Sequence, residues 1–252
     1  MTRVDRTVLA LLRAPSYTIT VHAVEDLTEH CRRVHFHAPD LLAEQEITPT
    51  FWLRLWIPAD GEQYQRAYTV TQVRRAEGLF ASDFVWHEPA GLATRWAYAA
   101  APEQDLRATV HTGKLFTPPE PPPSGYLLLG DPASLPAISD ILRALPESVP
   151  AHIVLGRQHD DDDRLTVPTR ERDRLQWTKQ GQTLLHAVDD LAADLTGWQA
   201  WVATEAGTTR QLRNHLHKQH GMPKASIKAR GYWAYGKPMG RSPAEPSRDA
   251  TP

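Results

Sequence analysis

The chain has 252 residues, 41% hydrophobic and 23% charged, with a formal net charge of −2. These proportions suit an ordinary globular protein of one large or two small domains, and the charge balance excludes general attraction to nucleic acid or anionic membrane. The single cysteine, Cys31, excludes an intrachain disulfide and any cysteine-based metal centre.

The apolar run from Val8 to Leu12 is too short for a signal-peptide core or a membrane span. Residues 1–14 therefore read as an N-terminal arm, and the expectation is a cytoplasmic monomer without stable membrane insertion. Tyr17–Val21 and Arg33–His37 then alternate apolar and polar positions, and Phe51–Ile57 is apolar with Arg54 inside it. Ala67–Val73, Leu79–His87 and Asp105–Thr112 complete a set of short strands. Separated by Pro, Gly and Asp turns, they predict a sandwich or small barrel. The Ala-rich segment Gly91–Ala100 predicts one helix among them. Pro118–Pro123, reading PPEPPP, is a stiff polyproline-like linker.

Beyond the linker the rhythm changes. Apolar runs at Tyr126–Leu129, His152–Leu155 and Trp201–Ala203 alternate with helical spacing at Leu135–Leu145 and Thr208–Lys218, and Ser226–Trp233 reads as a last strand. This alternation predicts a parallel sheet covered on both faces. The expected division is a β-rich domain over 15–117, the linker over 118–124, an α/β domain over 125–237, and a disordered tail over 238–252 rich in Pro, Ser and charge.

Arg66-Ala67-Tyr68-Thr69 places a guanidinium, an aromatic ring and a hydroxyl together on one predicted strand. Arg66 and Tyr68 share a face and Thr69 points to the other. That set suits a flavin dinucleotide: Arg66 forks onto the pyrophosphate, Tyr68 packs on the ring system, and the Thr69 hydroxyl or nearby backbone reaches a flavin nitrogen. Gly91-Leu92-Ala93-Thr94 opens the predicted helix, and small residues there leave backbone N–H groups for an anion. Gly130-Asp131, followed by Ser134, lies between a strand and a helix, where α/β sheets bind ligands. The absence of G-x-G-x-x-G there excludes a Rossmann fingerprint.

Thr204-Glu205 occupies an equivalent place, with Gly207 and Thr208 able to cap the next helix. Glu205 reads equally as a surface acid or a site residue. Trp96 and Trp233 stand out among eight tryptophans because each falls in a candidate site segment. The basic residues Arg54, Lys114, Arg230 and Lys237 are scattered, and their spacing does not say that they converge. His35 and His37 lack a third ligand, and His215, His217 and His220 lack the i, i+4 spacing of a zinc helix, so no metal site is expected. The acids Asp160 to Asp163 read as a solvated loop.

Arg66-Ala67-Tyr68-Thr69-Val70, Asp83-Phe84-Val85-Trp86-His87 and Gly91-Leu92-Ala93-Thr94-Arg95-Trp96-Ala97 together resemble the flavin domain of siderophore-interacting proteins. Gly130-Asp131 with Leu135-Pro136-Ala137-Ile138, Trp201–Glu205 with Leu212-Arg213 and His215-Leu216, and Gly231-Tyr232-Trp233 resemble that family's second domain. The resemblance runs in order from about residue 15 to 237. It implies a ferredoxin-reductase-like architecture: a six-stranded antiparallel flavin-binding barrel followed by a parallel-sheet NAD(P)H-binding domain. It further implies bound FAD, NADH or NADPH as donor, and a ferric siderophore as the acceptor whose iron is released as Fe(II).

By position, Arg66, Tyr68 and Thr69 would hold the flavin, with Gly91, Ala93 and Thr94 around its pyrophosphate. Gly130, Asp131 and Glu205 would line the nicotinamide side, and Ala67, Val70, His87, Trp96, Ser134 and Trp233 complete the cofactor-binding set. Arg54, Lys114, Lys237 and Arg230 would dock an anionic ferric siderophore. No catalytic acid, base or metal ligand is implied. The chain departs from the family pattern with Thr71 in place of a second Arg, with Thr112-Gly113-Lys114 in the Gly-Pro loop, and with Gly156-Arg157 where an acid is usual. An Arg there favours a 2′-phosphate and hence NADPH. The rival readings are a general NAD(P)H–flavin reductase with another acceptor, a protein that takes its electrons from a ferredoxin, and a non-catalytic siderophore-binding protein that has lost flavin.

Overall fold

The computed structural model describes residues 14–110, 115–191 and 193–236. Strands β1 (Ser16–Thr28), β2 (Cys31–His37), β3 (Trp52–Ala59), β4 (Glu62–Thr69), β5 (Thr71–Arg74), β6 (Leu79–Val85) and β7 (Asp105–Val110) form one antiparallel sheet, in the order β4-β3-β7-β1-β2-β6-β5. The sequence predicts one strand over Ala67–Val73, but the structure has two. Val70 is fully buried and donates its N–H to the Phe51 carbonyl at 2.8 Å, and Gln72 turns the chain with φ of 51°. The segment before Val70 pairs with β3 and the segment after it pairs with β6. The two edges of the sheet are therefore successive pieces of chain, and the sheet curls on itself. Register shifts at Val21/Ala23 and Asp26/Thr28 bend β1 along the curl.

The concave side is the first core. Ile19, Val34, Phe36, Leu53, Leu55, Ile57, Phe80 and Phe84 are all fully buried there. Each such side chain contributes about 1.5–3 kcal/mol by leaving water. Helix α1 (Pro39–Glu44) adds Leu41 and Leu42, and α2 (Leu92–Ala99) adds Ala93 and Ala97.

The second sheet is parallel throughout. Strands β8 (Tyr126–Gly130), β9 (Ala151–Leu155), β10 (Arg174–Trp177), β11 (Gln199–Glu205) and β12 (Ile227–Trp233) run in the order β10-β9-β8-β11-β12. Every residue of β8 and β9 is buried, as a sheet covered on both faces requires. Helix α3 (Leu135–Ala144) packs with Leu128, Ile153 and Leu155 on one face. Helices α4 (Leu184–Asp189) and α5 (Ala206–Lys218) pack with Leu127, Leu129, Val154 and Val202 on the other. Strand β10, reading RLQW, escapes the sequence analysis because an edge strand needs no apolar run.

The polyproline linker is not the only join between the sheets. Cys31, Leu27, Val85 and Phe116 pack into the core beneath α3, and burial pushes the Cys31 thiol well up. His30 stacks on His159, with ring centroids 3.9 Å apart and planes within 7°. Nε2 of His159 also lies 2.8 Å from the Trp86 carbonyl. Thr71 is buried at the joint, where its hydroxyl donates to Asp140 of α3 at 3.3 Å.

Burial at the joint pushes the Asp140 carboxyl up from 3.8 to about 6, against the pull of Arg143 and Thr71. Because the folded pKa lies above the unfolded one, the folded state holds the proton more tightly. Stability is therefore lost as pH rises from about 4 through about 6, and the cost is complete at neutral pH. Asp140→Asn is expected to gain about 1 kcal/mol at pH 7.5 and almost nothing at pH 4. Urea melts at the two pH values check both the gain and its disappearance.

Candidate functional site

Strand pairing sorts the Arg66–Thr69 segment into two faces. Arg66 lies opposite Leu55 and Tyr68 opposite Leu53, whereas Ala67 lies opposite Arg54 and Thr69 opposite Trp52. Arg66 makes one hydrogen bond among the described residues, donating to the Gln65 carbonyl at 2.8 Å. Four of its five N–H donors remain for a ligand. The Tyr68 ring rests on Phe84, with centroids 4.1 Å apart. Phe84 in turn meets Trp96 of α2 at 5.8 Å, and Trp96 lies parallel to Phe36. Burial pushes the Tyr68 hydroxyl up, opposed in part by the Arg66 charge. The ring thus sits on an aromatic stack that fixes its plane.

Thr69 is more committed than the sequence suggests. Its carbonyl accepts from the Ser82 hydroxyl at 2.8 Å, and its side chain lies beside the Tyr232 hydroxyl of β12. Val70 is core rather than site surface.

Helix α2 begins at Gly91 with no side-chain cap. Its first-turn N–H groups keep their anion-binding capacity. Ala93 and Thr94 are buried under it, with the Thr94 hydroxyl donating to the Val85 carbonyl at 3.3 Å. A Cβ on Gly91 would come 3.4 Å from His87 Nε2, so His87 flanks the helix start.

In the parallel sheet, connections leave β8 toward β9 on one side, and β11 toward β12 on the other. The order therefore reverses between β8 and β11, and the crevice outside their carboxyl ends is where such sheets bind nucleotides. Gly130 and Asp131 end one of these strands and Thr204 and Glu205 the other. A Cβ at Gly130 would fall on Ser134 Oγ and lie 2.5 Å from Ile138 Cδ1, so only glycine lets α3 start this close.

Asp131 is buried and fully used. Its Oδ2 accepts from the Thr204 hydroxyl at 2.7 Å and from the Trp233 indole at 2.8 Å, and its Oδ1 accepts from Ser134 N at 3.3 Å. Burial pushes this carboxyl up, and these hydrogen bonds pull it back. Asp131 and Ser134 shape the crevice and spend their polar atoms inside the protein. Glu205 caps α5 by accepting from Thr208 N at 2.8 Å through one carboxylate oxygen.

Of the four scattered basic residues, two converge. Arg54 lies over the Trp52 ring at 5.9 Å and donates to Gln65 at 2.8 Å, while Arg230 lies over the same ring at 4.9 Å. Lys114 and Lys237 fall outside the described residues. Trp52, Gln65 and Tyr232 border the candidate site without having been singled out as site residues from the sequence. Trp52 could have been found, because it alternates onto the same strand face as Arg54. Arg157 is already paired: it donates to Asp163 at 2.7 Å and to the Asp160 carbonyl at 3.3 Å, within an acidic loop.

Residues 42–112 match the family described as siderophore-interacting FAD-binding domain, and residues 123–236 match that described as siderophore-interacting protein. This chain belongs to the siderophore-interacting protein family. Its antiparallel and parallel halves resemble the ferredoxin-reductase fold. It is 37% identical over 234 residues to the mycobactin import ATP-binding/permease protein IrtA of Mycolicibacterium smegmatis, covering 90% of this chain and 27% of that protein. The chain thus spans about a quarter of such permeases. It is 28% identical over 182 residues to the ferric vibriobactin reductase ViuB of Vibrio cholerae, covering 68% of this chain and 65% of that protein. The siderophore-interacting protein SipS of Aeromonas hydrophila has the same fold, with a TM-score of 0.77 at 22% identity over 89% of this chain and 93% of that one. Among the described residues of this family member, no helix is long and apolar enough to cross a membrane.

Asp131→Ala leaves the Thr204 hydroxyl and the Trp233 indole without their acceptor at the end of the sheet. The expected cost is about 2–4 kcal/mol of unfolding free energy, read by urea titration. A loss below about 1 kcal/mol contradicts the role given to this carboxylate.

Proposed function

We propose that this chain is an FAD-dependent reductase that passes electrons from a reduced nicotinamide dinucleotide to the Fe(III) of a ferric siderophore, in the cytoplasm. One observation carries the reading. Tyr232 and Trp233, neighbours on β12, reach respectively to Thr69 on the candidate flavin strand and to Asp131 at the nucleotide crevice. Adjacent residues that tie the two sites together hold them in a fixed relation, as transfer between closely placed groups requires.

The residues present fit FAD. Arg66 and the uncapped start of α2 offer donors for a pyrophosphate, and Tyr68 offers a ring packed at a tilt against Phe84. When bound, FAD accepts a hydride from the nicotinamide and gives up single electrons. The chain binds, orients and excludes water. Arg54 and Arg230 flank Trp52 as an anion-docking face, outside the strand that carries Arg66. Iron(III) is held by hard oxygen ligands, and its reduction to iron(II) loosens them.

We count β4 and β5 as one strand bent at Val70, which makes the front sheet a six-stranded barrel, and we take 15–117 and 125–237 as the two domains. The donor we favour is NADH. The Arg157 guanidinium expected to attract a 2′-phosphate is neutralised by Asp163, and Asp160 to Asp163 would repel that phosphate.

Purified protein is expected to be yellow and to bleach anaerobically with NADH, and Arg66→Ala is expected to purify with much less flavin. Full flavin occupancy in that variant removes Arg66 from the site. Activity measured as kcat/KM is expected to be at least about tenfold higher with NADH than with NADPH. The double variant Arg54→Glu, Arg230→Glu should raise KM for an anionic ferric siderophore by about tenfold while sparing reduction of a small neutral dye. Equal loss with both acceptors favours a general flavin reductase.

A further inference from the structure

The spacing of His215, His217 and His220 gives no zinc-helix pattern, but the end of α5 rearranges them. Gln219 N donates to the His215 carbonyl at 2.8 Å and Met222 N to the Leu216 carbonyl at 3.1 Å, while Gly221, with φ of 67°, turns the chain back. His220 is thereby returned alongside His215, with ring centroids 5.2 Å apart. Asp189, the last residue of α4, faces both. Its Oδ1 is 2.6 Å from His215 Nε2 and 2.9 Å from His220 Nε2. His217 is excluded, its Nδ1 lying 2.9 Å from the Met222 carbonyl.

We infer that Asp189, His215 and His220 form a binding site for a divalent first-row transition-metal ion of the zinc type. The three ligand atoms lie within 4.8 Å of one another. Both imidazoles present the same ring nitrogen to one carboxylate oxygen, from two elements that pack on the same face of the sheet. In a tetrahedral site with bonds of about 2.0–2.2 Å, nitrogen and oxygen ligands stand roughly 3.3 Å apart. The ion enters by spreading the three groups by about half an ångström, within reach of their side-chain torsions. Two imidazoles and one carboxylate suit Zn²⁺, Co²⁺ or Ni²⁺, whereas Mg²⁺ and Ca²⁺ seek oxygen.

The imidazoles are mostly covered, at 17% and 20% exposure, and the carboxylate is 48% exposed. The nitrogens are held in place and a side remains open to water for the fourth position. The site is separate from the cofactor segments: His215 stands ten residues along α5 from Glu205, about 15 Å of helix. Its effect is to staple α4 to α5. The cluster of Glu29, His30 and Asp161 offers one imidazole, already stacked on His159, and serves as the control.

The test is a titration of the tag-free full chain with Co²⁺, followed by displacement with Zn²⁺. One Co²⁺ per chain is expected, with a visible ligand-field band that Zn²⁺ abolishes, and a higher Tm in Zn²⁺. H215Q and H220Q should each weaken binding by at least about tenfold, and H30Q should leave it unchanged. His220 lies beyond the end of α5, so the H220Q result stands even where H215Q destabilises the helix. No saturable Co²⁺ uptake, uptake that survives H215Q and H220Q, or uptake lost in H30Q overturns the assignment. The readout is independent of flavin chemistry.

Discussion

The buried carboxylate of Asp131 is the constraint on which the functional half of this protein depends. It sits where the order of the parallel sheet reverses, and it accepts hydrogen bonds from Thr204 at the end of β11 and Trp233 at the end of β12. A charge in that position is costly unless every oxygen is satisfied. The three partners supply that satisfaction, and in doing so they lock the ends of three strands and the start of α3 into one arrangement. The crevice of a parallel sheet is ordinarily a meeting of loose loops. Here it has a fixed floor.

The fixed floor matters because of what the last strand does next. Trp233 is held by Asp131, so Tyr232, one residue earlier, is held as well, and it reaches across to Thr69 on the antiparallel sheet. The joint is reinforced by Thr71 on Asp140 and by the flat stack of His30 on His159. The proposed electron transfer requires the two sites to be held at close range. This joint is built from short polar contacts between the halves, and Cys31 and Val85 seal it with apolar packing. Thr71, which departs from the family pattern of a second Arg, is a buried part of this joint.

The net charge of −2 hides a strongly patterned surface. Acids gather after β9, where Arg157 is drawn into an ion pair with Asp163. Basic groups gather over Trp52, where Arg54 and Arg230 face the same indole from strands of different sheets. Two like charges converge there because an aromatic face attracts each of them and Gln65 accepts from one. This is the face proposed above to dock an anion, next to the strand that carries Arg66.

The kinds of elements, and the faces taken by residues on the candidate flavin strand, are legible in the residues alone. Alternation in Arg66–Thr69 correctly assigned its two faces, the apolar runs of β8 and β9 announced a two-sided sheet, and the alanine-rich stretch announced α2. These are local properties, set by the period of a strand or a helix. Pairings across long stretches of chain come instead from how the elements pack. Val70 splits one predicted strand in two because its N–H is needed by Phe51. Glu205 became a helix cap and Asp131 a structural hub because of neighbours that periodicity does not specify. Arg54 and Arg230 meet across 176 positions, and His220 rejoins His215 only because the chain reverses at Gly221. Side-chain period says which way a residue points from its own element; only the packing of elements says what it finds there.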